Sequence, residues 1–139
     1  MNKKVWLGFV VVFVVLEVLD TIVNNFILVG VYQATASLWR PDMSSTMWIF
    51  PVVTLIESFF IALIFSKGYE GKGIAEGIRY GLYIGIMLSV GKAYATYAMI
   101  AIPYSLALRW FIYGVIEYII AGIALALVYK EGKPKQAVA

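Results

Sequence analysis

Residues 5–31 read VWLGFVVVFVVLEVLDTIVNNFILVGV, and the fold turns on how this stretch is understood. It is longer than the ~20 apolar residues that carry a helix across a ~30 Å hydrocarbon core, so it reads as a membrane span. Its second half nevertheless carries Glu17, Asp20, Thr21, Asn24 and Asn25. At about 100° per residue these five fall within an arc of roughly 140°. A polar face on an otherwise apolar helix has to turn away from lipid, so the first span predicts companion helices.

Composition supplies them. Of the 139 residues, 63% are hydrophobic and 14% charged, against about 45–50% apolar and about 25% charged in soluble domains. Mean hydropathy is +0.89, which places the chain in a bilayer. Three more apolar runs follow, at about 47–65, 78–102 and 106–129, with a glycine-rich connection at about 66–77. Between the first two spans, Arg40-Pro41-Asp42 ends a helix and Ser44 or Ser45 can cap the next. Trp39 and Trp48 suit the headgroup region. Pro103 makes the last connection a tight turn, so the third and fourth spans form an antiparallel hairpin.

The expectation is an all-α membrane protein, one domain over residues 1–139, built as a four-transmembrane-helix antiparallel bundle. The basic start and apolar run have the shape of a signal peptide. The small-residue site at Ala34–Ala36 lies too far downstream for that, and the run is read as a retained span. Lys3, Lys4, Lys67, Lys72, Arg79, Lys130, Lys133 and Lys135 fall on one side, against Arg40 in the opposite loop. The positive-inside rule puts both termini in the cytoplasm. The pI of about 9.1 is therefore read as topology, and no nucleic-acid partner is expected.

The chain has no cysteine and no histidine. Disulfides, zinc-thiolate sites, thiol nucleophiles and imidazole bases are excluded, and no metal or cofactor is expected. The remaining chemistry is carboxylate and amine chemistry inside the membrane. Glu57, Lys92 and Glu117 each lie within about two residues of the middle of their spans, and Glu17 is close to the middle of its own. An isolated charge there costs at least ~2.5–3.5 kcal/mol, so the four are expected to meet in one network. With Asp20 and Arg109 added, four acids face two bases. That imbalance calls for protons, a bound cation or a cationic solute. Asp20, Asn24, Asn25, Thr96, Tyr97, Arg109 and Tyr113 crowd the outer half, which predicts an outward-opening pocket. The candidate ligand- or proton-binding residues are Glu17, Asp20, Asn24, Glu57, Lys92, Arg109 and Glu117.

Gly73, Gly77, Gly81, Gly85 and Ser89 recur every four residues, a pattern that lets helices approach closely. Gly77, Gly81, Gly85 and Ser89 are assigned to helix packing within the chain, with homodimer contact as the alternative. The loop GYEGKG at residues 68–73 has the glycines of a phosphate cradle. No strand precedes it and no Lys-Ser/Thr pair follows, so it reads as a flexible cytoplasmic turn near anionic lipid.

The stretches LWRPDMSSTMWIF (38–50), FSKGYEGKGIAEGIRYGLYIGI (65–86) and IPYSLALRWFIYG (102–114) resemble a group of uncharacterised small four-helix bacterial membrane proteins. The resemblance covers nearly the whole chain. It implies the same fold and a multi-pass location in a prokaryotic inner membrane, and it implies no activity. LEVLDTI (16–22) is similar to the stretch around the membrane glutamate of the small multidrug resistance transporters, with Glu17 at the matching position. The cytoplasmic charge bias, the longer loops, and Glu57, Lys92 and Glu117 depart from that family.

Two functions lead at this level, ahead of an intramembrane enzyme whose carboxylates would serve as acid and base. One is binding or transport of protons, a cation or a small polar solute in an outward pocket. The other is a structural or assembly subunit whose polar face docks on a larger membrane complex. Expected partners are the bilayer, a further copy of the chain or such a complex, and a small polar ligand. Nothing in the sequence specifies an enzymatic reaction.

Overall fold

A computed structural model describes residues 2–130; Lys133 and Lys135 of the basic count, and both chain ends, lie outside the described residues. The described chain is all-helical. Helix α1 (Lys3–Ile22) starts where the Asn2 side chain accepts a hydrogen bond from the Lys4 amide at 2.6 Å. It runs without interruption into a π-turn (Val23–Ile27) and then into the short α2 (Val29–Ala34). After two 3-10 turns, α3 covers Ile49–Gly68. α4 (Ile74–Val90) likewise passes through a π-turn (Gly91–Ala95) into α5 (Thr96–Met99), and α6 covers Tyr104–Tyr129.

Among the described residues three helical stretches are long and apolar enough to cross a membrane: Lys3–Ile27, Ile49–Gly68 and Tyr104–Tyr129. α4 has 17 residues and carries Glu76 and Arg79. The sequence predicted a span at about 78–102; the helix there runs from Ile74 through the π-turn at Gly91–Ala95 to Met99 and is not among these three. Serine capping of the second span is also corrected. Ser45 and Thr46 turn their hydroxyls back to the carbonyls of Asp42 and Met43, and α3 starts three residues beyond Thr46 without a side-chain cap.

Exposed apolar residues follow helical rows. Val10, Val14, Val18 and Ile22 line the outside of α1, and Ile112, Ile116 and Ile120 line that of α6. In water these rows would exceed the few hundred Å² of contiguous apolar surface that a soluble monomer tolerates, so the molecule is built for lipid.

The helices stand in the order α3, α1, α6, α4. α4 and α6 run in opposite directions with almost no space between them. A carbon added at Gly77 would strike the Gly122 carbonyl oxygen, and one at Gly81 that of Tyr118. One added at Gly85 would lie 3.0 Å from the Val115 Cα. Gly77, Gly81, Gly85, Ser89 and Ala93 are all buried along this seam, so the glycine ladder is packed within the chain. At the same end Gly8 lets α1 close on Leu125 and Ala62.

One apolar cluster, including Val12, Leu16, Ile61, Phe65, Leu125 and Tyr129, fills the end next to the 68–73 loop. There the Tyr80 hydroxyl donates to the Ile61 carbonyl at 2.6 Å and ties α4 to α3. A second cluster, including Val23, Leu28, Ala93, Ile102 and Leu106, fills the opposite end and takes nothing from α3. Ile49, Phe50, Val52, Val53, Leu55 and Ile56 in the first half of α3 are all exposed. The helices are thus pinched at one end and splayed at the other.

The 68–73 loop is ordered by an internal anion. Gly71 and Gly73 take φ of 77° and 78°, a region that suits glycine. The resulting turn aims the amides of Glu70 and Lys72 at the Glu76 carboxylate, at 2.7 and 2.9 Å. The chain's own carboxylate therefore takes the place that a phosphate would have in a cradle. Lys72 also pairs with Glu70 at 3.0 Å, and this neighbour holds the exposed Glu70 carboxyl below its ordinary range.

Two outcomes are expected. Gly77→Leu and Gly81→Leu force bulk into backbone, so each should cost more than the ~1–3 kcal/mol of ordinary overpacking and abolish the folded peak in size-exclusion chromatography. Gly30→Leu, where an added carbon meets nothing within 4 Å, should leave that peak in place. Glu76→Ala should release the two loop amides and speed tryptic cleavage after Lys72, measured against wild type in the same detergent.

Candidate functional site

The splayed end encloses a cavity of about 350 Å³ reached by four helical segments. α1 and its π-turn bring Leu16, Asp20, Val23 and Asn24. α3 brings Ile49, Phe50, Val53, Thr54 and Glu57. The α4 side contributes Leu88, Ser89 and Lys92, and α6 contributes Trp110, Tyr113, Gly114, Glu117 and Tyr118. Three carboxyls and one ammonium therefore share a wall that is otherwise mostly aromatic and aliphatic, with Asn24, Thr54 and Ser89 as its small polar members.

Two π-turns, at Val23–Ile27 and Gly91–Ala95, lie beside the cavity. On the α4 side the packing row continues from Ser89 to Ala93, which is fully buried, and Lys92 lies off that row on the cavity. On the α1 side the expected polar face is divided. Asp20 and Asn24 line the cavity, while Thr21 and Asn25 are exposed on the outer surface. Glu17 is half-buried and does not line the cavity, and Arg109 is exposed and does not either. Asp20 occupies the place that the sequence reading gave to Glu17.

The expected carboxylate–lysine network is corrected as well. Among the described residues no ion pair joins Lys92 to a carboxylate. Lys92 is exposed, and its ammonium lies over the Trp110 ring, 5.5 Å from the centroid. Glu57 accepts a hydrogen bond from the Tyr118 hydroxyl at 3.1 Å. Glu117 is the one carboxyl of the cavity that is buried, at 8% exposure, and it shares the cavity wall with Asp20. Two carboxyls on one cavity wall repel when both are ionised, and a proton or a cation between them removes the repulsion. Among the described residues no group of three carboxylates approaches closely enough to hold a metal ion.

A chain of neutral hydrogen bonds braces the wall beside Asp20. The Trp110 indole N–H donates to the Tyr32 hydroxyl at 2.7 Å, and Tyr32 donates to Asn24 Oδ1. Asn24 Nδ2 donates to the Asp20 carbonyl at 2.9 Å. That carbonyl also accepts from the Val23 backbone amide. Trp39 packs against both Tyr32 and Trp110, with ring centroids 5.9 and 6.2 Å away. Sequence reasoning passed over Trp110, Tyr32 and Tyr118, having looked for interior chemistry among the charged and amide side chains. The usable signal was spacing, because Trp110, Tyr113, Gly114 and Glu117 fall at i, i+3, i+4 and i+7 on one helical face.

No family model, curated protein or solved structure matches this chain.

Trp110→Phe keeps the ring and deletes the donor, leaving the Tyr32 hydroxyl without that hydrogen bond. A loss of ~0.5–1.5 kcal/mol is expected, read as a lowered thermal unfolding midpoint in detergent.

Proposed function

We propose that the chain is a four-span antiparallel bundle of a prokaryotic inner membrane, with both termini cytoplasmic. In this reading the α4–α5 segment is the third span, and its glycines and Lys92 lower its apolarity because they face protein and cavity instead of lipid. The 68–73 loop then lies in the cytoplasm and the splayed end opens outward. The cavity binds a proton or a small cation and is the binding step of a transporter.

One observation carries the functional part of this reading. Asp20, Glu57 and Glu117 surround one cavity, and the single ammonium there pairs with none of them. Carboxyls in a membrane interior need neutralisation, and a site that leaves this to an outside species binds that species by charge. The aromatic wall of Trp110, Tyr113 and Tyr118 adds faces that attract cations. Because no three carboxylates converge as metal ligands among the described residues, protons and organic ammonium ions fit better than a metal.

The subunit reading has its own support in the exposed first half of α3 beside the exposed Thr21 and Asn25 of α1. A partner helix lying there would cover both. Copurification from native membranes separates the two readings, since a stoichiometric larger partner favours the subunit.

Two measurements test the proposal. The chain lacks cysteine, so single cysteines report topology cleanly. One placed at Ser37 or Ser44 should react with an impermeant thiol reagent from outside, and one at Lys72 should not; equal labelling would sink the orientation. For binding, Glu117→Gln and Glu57→Gln should each lower proton uptake or tetramethylammonium affinity by about tenfold or more, the effect of losing one close counter-charge of ~1.4 kcal/mol. Glu17→Gln, at a position off the cavity, should bind tetramethylammonium like wild type. Coincident curves for all four proteins would remove the cavity from consideration.

A further inference from the structure

The position of Lys92 bears on how a cation would enter this cavity, and the inference rests on the cation-binding reading above. Trp110 is held rigidly. Its indole N–H is committed to Tyr32 at 2.7 Å, and Trp39 packs 6.2 Å from it. Its remaining open face looks onto the cavity and carries the Lys92 ammonium at 5.5 Å. Lys92 reaches it on a flexible four-carbon stem from the π-turn, without a carboxylate partner among the described residues. It nevertheless shares the cavity wall with Glu57 and Glu117.

We propose that Lys92 is a tethered competitor: its ammonium occupies the Trp110 face that an organic ammonium ligand takes, and a ligand binds by displacing it. The ring supplies the site and the lysine supplies the threshold. An ammonium is strongly hydrated and gains little from an aromatic face at a partly open site, whereas an alkylated ammonium sheds its water at lower cost and gains more. The displaced Lys92 stays within the field of Glu57 and Glu117, which offsets the loss of its place on the ring. Displacement therefore selects alkylated ammonium ions over hydrated inorganic cations such as K⁺. A lysine that only fixes structure, or only subtracts charge from the cavity, would show no dependence on Trp110.

The full-length chain in detergent is titrated calorimetrically with tetramethylammonium chloride, with KCl as the reference cation. Lys92→Gln should tighten tetramethylammonium binding by about tenfold or more, while Lys92→Arg, which keeps the charge and stacks better on an indole, should bind no more tightly than wild type. Trp110→Leu should weaken binding, and adding Lys92→Gln to it should gain almost nothing. If Trp110→Leu does not fold, Trp110→Phe replaces it, and the gain from Lys92→Gln should shrink in that weaker ring. A gain of equal size with and without Trp110 would overturn the proposal, because the lysine would then act through charge alone. An absence of gain from Lys92→Gln, in protein whose binding still depends on Glu117, overturns the competitor and leaves the cavity reading standing. No tetramethylammonium binding and no proton uptake in either wild type or Lys92→Gln overturns both.

Discussion

Where Gly77 meets Gly122 there is no room for one more carbon between α4 and α6, and Gly81 continues the contact against the Tyr118 backbone. Dispersion attraction rises with close approach, and in lipid it has to do the work that water does for soluble helices. Past Ser89, which meets Gly114, the row goes on to the buried Ala93, while the cavity face of α6 carries Tyr113 and Trp110. The bundle diverges on the α3 side. The tie from Tyr80 to Ile61 then fixes α3 at the pinched end and leaves its other half free of the second apolar cluster.

The placement of charge follows from that divergence. An ionised group deep in a sealed bundle would need a partner of excellent geometry, and desolvation often exceeds what the partner returns. Here Asp20 and Glu57 are half-buried on the wall of an open cavity, Lys92 is exposed, and Glu117 alone is buried. Hydration and a single aromatic face therefore do for Lys92 what an ion pair was expected to do.

The helical class, three of the four apolar segments and the close-approach row were legible because each is written in a period that a straight α-helix preserves. The sequence placed Gly77, Gly81, Gly85 and Ser89 on one face, and they share one. What periodicity could not supply was which edge of the polar arc faces inward. Asp20 and Asn24, about 40° apart on the helix, line the cavity, while Thr21 and Asn25 at the other edge of the arc are exposed. Asp20, Glu57 and Glu117 were legible as interior acids, but depth alone cannot distinguish Glu17 from Asp20, one turn apart on α1. The brace from Trp110 to Asp20 joins residues 78 positions apart at its first bond, beyond any local pattern.

That brace has a polarity. Indole N–H can donate and cannot accept, so Trp110 fixes the direction of every bond that follows: Tyr32 must give its proton to Asn24, and Asn24 must turn its amide nitrogen to the Asp20 carbonyl. A proton wire works by reversing its members one after another, each accepting on one side as it releases on the other. This row begins at a group that cannot accept and ends at a backbone carbonyl. It conducts nothing, so any proton that reaches the carboxyls of the cavity travels through the cavity itself.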